Sequence, residues 1–217
     1  MGTIIKRTAI LLLIGIVISA IVYKFWYVPK ILPSKNRFVI LSDKANGNLE
    51  LLHKLKEVSL STKEYCNNKS FNQQYCFLAD MSIPSGKHRF FVYNMVKDSI
   101  ELAGLVSHGI GSLTFGSELK FSNEPGSNCT SLGKYKIGKH YYGKFGLAYK
   151  LYGLEKSNSK AFERFVVLHS YHCVPADEVY PLPICPSKGC PMVSPAFMQK
   201  LKPYIDNSNK PVLLNIF

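Results

Sequence analysis

A pair of C-x-x-C turns, a G-x-S-x-G, an internal repeat and a low-complexity tract are all missing from this 217-residue chain. The first absence removes the chelating turns of a structural zinc site, and the second removes the nucleophile elbow of an α/β-hydrolase. Acidic residues are scarce as well: 14 Asp and Glu stand against 27 Lys and Arg, a formal net charge of +13. Such a field favours an anionic partner. The lysines are scattered singly and no nucleic-acid module signature occurs, so no nucleic-acid partner is expected. An acidic membrane surface or an anionic envelope polymer fits better.

Also lacking is an uninterrupted apolar run of the ~20 residues that a spanning helix needs. The N-terminus comes close. Lys6 and Arg7 precede sixteen uncharged residues, Thr8 to Tyr23, and then Lys24 leads into Phe25, Trp26 and Tyr27. Lys24 can snorkel, and the aromatic residues suit the interfacial belt. Ile18 and Ile21 flank the small pair Ser19-Ala20, which makes a poor cleavage site. Residues 1–28 therefore read as an uncleaved signal anchor, a membrane helix that leaves everything after Val28 outside the cytoplasm. If the segment is cleaved, the same residues are secreted. In that compartment disulfides persist. Cys66 and Cys76 lie ten residues apart, Cys173 and Cys185 twelve, and each pair is an expected staple. Cys129 and Cys190 remain. Spacing does not dictate connectivity, and six unpaired thiols is the alternative.

Pro29 to Pro33 starts a short tether. Within Asn48–Val58, Leu49, Leu51, Leu52 and Leu55 recur at helical spacing and predict a short amphipathic helix. Polar Ser59–Gln74 reads as helix end and loop, so residues 29–74 are a tether with a small helical segment, and residues 75–217 are the main domain. From Tyr75 the pattern is that of strands: Tyr75–Ile83, a hairpin of Arg89–Asn94 with Ser99–Ser107, a second hairpin of Leu132–Lys139 with Phe145–Tyr152, and Phe165–Leu168. Ser194 as N-cap and Pro195 as first helical residue start a short helix through Ile205. Pro211–Phe217 ends the chain as a strand. The expected fold is mainly β, with one helix late in the domain.

A histidine closes the apolar run Val166-Val167-Leu168, and Cys190 follows His169 by 21 residues, behind Gly189. A thiol is a useful nucleophile only as thiolate, and an imidazole within reach supplies that state. Gly189 permits a tight turn that exposes the thiol and leaves backbone N–H groups for an oxyanion. The helix at Ser194 begins four residues after Cys190, too late for its dipole to lower the thiol pKa much. The base must then do most of the activation. His169, His172, Cys173, Cys185 and Cys190 also fall within 22 residues, a density that could hold zinc. However, Cys185-x4-Cys190 is a poor chelating turn, and no metal or cofactor is expected.

The segment His169-Ser170, followed by Ser187-Lys188-Gly189-Cys190-Pro191, resembles the signature of murein L,D-transpeptidases. Val106-Ser107-His108-Gly109, the stretch Lys120–Ser127, Ser131–Tyr135, Gly143-Lys144-Phe145-Gly146 and Leu151–Glu155 fit a branch with an extended catalytic domain. The resemblance covers about Tyr75 to Phe217. It implies a β-rich L,D-transpeptidase-type domain of the bacterial envelope acting on peptidoglycan stem peptides. Cys190 would attack the carbonyl that joins the third residue of a tetrapeptide stem to its terminal D-alanine, and His169 would take the thiol proton. The backbone carbonyl of Ser170 would orient the imidazole. Gly189 and Cys190 N–H groups would hold the oxyanion in a loop opened by Ser187. The thioester would pass to an amine on a neighbouring stem, giving a 3→3 cross-link, or to water, as in an L,D-carboxypeptidase. A catalytically idle wall-binding module of the same fold is the competing class. The family's apolar residue plus Arg or Asn after the cysteine is replaced here by Pro191-Met192, so Lys188 or another basic residue is the expected substitute toward the substrate carboxylate. His108 occupies a position that recurs in this branch and joins Lys188 as a substrate-binding candidate, with catalytic and structural roles both open.

Overall fold

Alternating apolar residues from Tyr75 onward build one eight-stranded sheet. The computed structural model describes residues 14–23, 37–116 and 118–217, without the side chains of 37–48. The strands are β1 Tyr75–Ala79, β2 Phe90–Asn94, β3 Ser99–Gly104, β4 Gly133–Gly143, β5 Gly146–Gly153, β6 Val167–Ser170, β7 Met192–Val193 and β8 Leu213–Ile216. They lie in the order β3-β2-β1-β8-β4-β5-β6-β7. Both expected hairpins form, as antiparallel β2/β3 and β4/β5. The C-terminal strand is central: β8 runs parallel to β1 and antiparallel to β4. At the far edge, β6 and β7 are parallel, with His169 opposite Met192.

Helix α2, Pro195–Asp206, begins where the sequence placed it, with the Ser194 hydroxyl accepting from the Phe197 N–H. It buries Phe197, Met198 and Leu201 against a core that includes Phe77, Phe90, Tyr135, Tyr149, Leu168 and Leu214. Gly104 allows the close approach, since a Cβ there would meet the Phe197 ring at 2.6 Å.

Helix α1, Arg37–Asn68, is far longer than the helix expected within Asn48–Val58. The chain divides into two compact units, residues 1–53 and 54–217, and the boundary falls within α1. In the second unit Leu55, Ser59, Thr62 and Cys66 are buried at helical spacing. Lys54 pairs with Asp80 at 2.6 Å, Lys63 donates to the Met95 carbonyl, and Asn215 of β8 reaches the Thr62 hydroxyl at 3.5 Å. Asn215 alternates along β8 with Leu214 and Ile216, which face the α2 core, so the two helices take opposite faces of the sheet. Residues 54–74 therefore belong with the sheet, not with a tether. Of the four leucines that suggested the short helix, Leu49 and Leu52 are exposed and Leu55 is buried.

In the first unit, residues 14–22 are helical. The rest of the expected anchor and the Pro29–Pro33 tether lie outside the described residues. Among the described residues no helix is long and apolar enough to cross a membrane.

Candidate active site

Val167 and Leu168 begin β6, as apolar and β-branched residues suit a strand. The strand starts at Val167, two residues later than expected. Phe165 is exposed at φ +54° and closes a turn, its N–H donating to the Phe162 carbonyl at 3.1 Å. His169 and Ser170 end the strand between β5, where Ala148 opposes His169, and β7. The imidazole is buried and stacks on Phe145, with ring centroids 5.0 Å apart. Its Nδ1 lies 3.1 Å from the Ser170 carbonyl. A carbonyl only accepts, so Nδ1 carries the proton and Nε2 is the free basic nitrogen.

The cysteine loop is held from two sides. The His169 N–H reaches the Pro191 carbonyl at 3.4 Å, and the Tyr171 N–H donates to Val193. From the other side comes the loop 107–110. The Ser107 N–H donates to the Met192 carbonyl, the Ser187 N–H donates to the His108 carbonyl at 2.8 Å, and the Ile110 N–H donates to the Ser187 carbonyl. Cys190 thus enters β7 next to the strand end that carries His169. The register supplies this juxtaposition of residues 21 apart in sequence.

Inside the loop, the Ser187 hydroxyl donates to the Cys190 carbonyl at 2.6 Å and accepts from the Gly189 N–H at 3.0 Å. The Gly189 N–H was expected to help hold an oxyanion; it is instead turned inward onto Ser187. Of the two amides, Cys190 N–H is the one without that engagement. Gly189 itself sits at φ +108°, and a Cβ there would lie 2.7 Å from the Cys129 carbonyl and 3.2 Å from Arg164 Nη2. Only glycine fits this position without strain.

Burial pushes the Cys190 thiol above its ordinary pKa, and the Val167 amide and Arg164 guanidinium pull it part of the way back. Burial pushes His169 below its ordinary value, with the Ser170 carbonyl opposing. Both shifts favour a resting pair of neutral thiol and neutral imidazole. The thiol reaches the Phe165 carbonyl at 3.7 Å.

Arg164 is the functional candidate that sequence reasoning missed. It donates to the carbonyls of Ser122 and Cys129, at 2.9 and 2.6 Å, and to the Ser131 hydroxyl. These bonds fix a positive charge beside the Gly189–Cys190 peptide. Lys188, the expected substitute for the missing cation, is exposed to solvent. One sequence signal points to Arg164: it and Arg89 are the only arginines after Arg37, among far more numerous lysines.

His108 is buried, with Nδ1 2.9 Å from Arg89 Nη2. Arginine only donates, so Nδ1 accepts and Nε2 carries the proton. Burial and the Arg89 charge push His108 down to about 4. Arg89 also donates to the Val106 and Ile83 carbonyls. A neutral histidine pinned this way braces the loop whose backbone grips Ser187.

Cys173 and Cys185 are joined as a disulfide. The staple expected between Cys66 and Cys76 does not form: both are free, buried thiols, one on α1 and one on β1. Burial pushes Cys66 up to about 11. Cys129 and Cys190 are also free. Among the described residues no cluster of His, Cys, Asp or Glu is arranged to hold a metal.

Against solved structures, the chain is similar to the helical cell shape determining protein Pgp2 from Campylobacter jejuni (14% identity, TM-score 0.41, 65% of this chain and 46% of that one). It is also similar to an L,D-transpeptidase from Mycobacterium smegmatis (12% identity, TM-score 0.40, 66% and 58%) and to a mutant of Enterococcus faecium L,D-transpeptidase (11% identity, TM-score 0.41, 66% and 50%). The chain spans about half the length of these proteins, and likeness at this level adds nothing to the reading of the site. No curated protein sequence matches it. The family described as L,D-transpeptidase catalytic domain matches residues 50–213, from within α1 to the start of β8, including the strand end that carries His169 and the loop that carries Cys190. On that match, the chain belongs to the L,D-transpeptidase catalytic domain family.

Proposed function

We propose that the protein is a cysteine acyltransferase that acts on peptidoglycan tetrapeptide stems and forms 3→3 cross-links through a thioester on Cys190. The observation that carries the reading is the Nδ1–H bond of His169 to the Ser170 carbonyl, which leaves Nε2 basic at the strand end beside the cysteine loop. Nε2 takes the Cys190 proton as sulfur attacks the carbonyl of the third stem residue. The tetrahedral intermediate collapses, the C–N bond to D-alanine breaks, and the imidazolium gives its proton to the leaving amine. An amine of a second stem then attacks the thioester, His169 takes the proton of that amine, and the thiolate leaves. Cys190 N–H is the main-chain donor best placed for the oxyanion. The third member of the constellation is a main-chain carbonyl, so the Ser170 side chain is replaceable. The basic N-terminal segment, with Lys6 and Arg7 before Thr8–Tyr23, supports anchoring of the domain on the outer side of the cytoplasmic membrane.

The test is intact-mass analysis after incubation with tetrapeptide muropeptides or a carbapenem. A covalent adduct is expected, lost in Cys190→Ala and largely retained in Ser170→Ala. No adduct on protein whose Cys190 is free and reduced would sink the reading. Adduct turnover to free tripeptide alone, with an acceptor stem present, would indicate a carboxypeptidase.

A further inference from the structure

Along β5, Leu147, Tyr149 and Leu151 enter the core, so Ala148, Lys150 and Tyr152 occupy the opposite face. Cross-strand partners share a face: Ala148 opposes His169, Lys150 opposes Val167, and Lys136 of β4 opposes Tyr152. The base and a row of lysines and aromatic rings are therefore on one side of the sheet. Phe145 covers His169 with Lys144 Nζ 5.8 Å from its ring centroid. Farther along, Tyr152 and Phe162 stack at 5.3 Å and 10°. Lys136 Nζ lies 4.8 Å over the Tyr152 ring, and Lys150 Nζ lies 5.8 Å over Phe162. Phe145 and Phe162 are about half exposed.

Lys136, Lys150 and Tyr152 of this row also line a cavity of about 870 Å³ between β4, β5 and the turn after α2. Lys136, Lys139, Lys150 and Lys210 line it, and its one carboxylate, Asp206, is already engaged by Lys202, the Tyr149 hydroxyl at 3.1 Å and His140 at 3.4 Å. Two of the four ammonium groups are held over aromatic rings, which limits how far they can swing away. Ammonium groups recognise carboxylates or phosphates as point charges, and exposed rings stack on the apolar faces of sugars and peptides. The volume is that of an ordinary ligand site.

We propose that this cavity is an anion site for a carboxylate-bearing, sugar-linked wall segment, the strand that presents the acceptor amine, with the exposed aromatic row as its path to His169. The assignment rests on the acyl-transfer reading above. Phosphate on an envelope polymer offers the same anionic chemistry, and the test separates the two sources.

Full-length protein and the variant Lys136→Glu/Lys139→Glu/Lys210→Glu are compared for co-sedimentation with purified sacculi stripped of phosphate polymers, at low and raised salt. The variant is expected to bind about tenfold more weakly or worse, with most of the salt dependence gone. Carbapenem acylation of Cys190 stays at the wild-type rate. A Lys→Gln version of the same triple variant gives the same ordering if charge reversal harms folding. Equal binding by wild type and variant overturns the proposal. Binding that requires phosphate polymer, and is competed by polyphosphate but not by soluble muropeptides, overturns the carboxylate assignment. Failure of Cys190 to react in either protein refutes the acyl-transfer reading, while the sacculus result still decides the anion site.

Discussion

Ser187→Ala is the most informative single change, because one hydroxyl closes the cysteine loop on itself. In the native loop it donates to the Cys190 carbonyl and accepts from the Gly189 N–H, and Ser187 is buried. Alanine fits the same space, so packing is unchanged and only the two bonds are lost. The Gly189 amide is then a buried donor without a partner, which costs about 1–3 kcal/mol. The Cys190 carbonyl keeps the Ser107 hydroxyl at 3.5 Å and loses less. The sum is about 2–3 kcal/mol, or a fall of roughly 4–12 °C in melting temperature for a domain of this size. The loop also sets where sulfur sits, and a misplacement near 1 Å costs about 100-fold in rate. Differential scanning fluorimetry and the carbapenem acylation rate read the two effects separately. A melting temperature within about 1 °C of wild type, with acylation within about twofold, would refute the role given to this hydroxyl.

Other consequences follow from the same geometry. The alkylation rate of Cys190 by iodoacetamide should still be rising at pH 9, because burial holds the folded thiol above the usual ~8.5; a plateau below pH 8 contradicts this. Arg164→Met should push that profile further up, since the guanidinium favours the thiolate, whereas Lys188→Met should leave it in place; identical profiles for Arg164→Met and wild type would remove Arg164 from the site. Because His169 is held below its ordinary value, the acid limb of carbapenem acylation should lie below pH 6.5. Gly189→Ala should destabilise by about 1–3 kcal/mol through its positive φ alone, with the contact against the Cys129 carbonyl adding to this; a variant that melts with wild type and reacts normally would show that the loop can adopt another path.

Strand positions were legible because alternation survives where one face meets a core and the other meets solvent or a helix. The two hairpins, the C-terminal strand and the Ser194-Pro195 helix start all carry local signals. The helix expected within Asn48–Val58 is part of α1, but its extent was not legible, for a physical reason. Its buried stripe is Leu55, Ser59, Thr62 and Cys66, and small polar residues can pack against a sheet without leaving an apolar period. Leu49 and Leu52, which do leave one, are exposed. The Cys66–Cys76 staple failed in a similar way. A spacing of ten says nothing about a helix end and a turn lying between the two thiols, whereas Cys173 and Cys185 both lie in the irregular stretch between β6 and β7.

The candidate site divides along the same line. His169, Gly189 and Cys190 stand out in the sequence because each has a local correlate: a strand end, a turn and a thiol. Arg164 and Arg89 do not, and His108 stands out without its partner, because the partners are main-chain carbonyls or side chains many residues away, and carbonyls leave no mark on sequence. The two arginines nevertheless share a logic. Lysine's strongly hydrated ammonium suits the exposed positions where this chain uses it freely, while guanidinium can satisfy several acceptors at once and tolerates burial. Arg89 ties the loop 107–110 to β2 through His108, and Arg164 ties the stretch Ser122–Ser131 to the approach of β6. Both tied segments press on the Ser187–Cys190 loop, one through the His108 carbonyl and one through the Cys129 carbonyl beside Gly189. The loop is thus clamped by backbone on two sides, and the identities of residues 107–110 and 122–131 matter to the thiol although neither segment was read as part of a dyad.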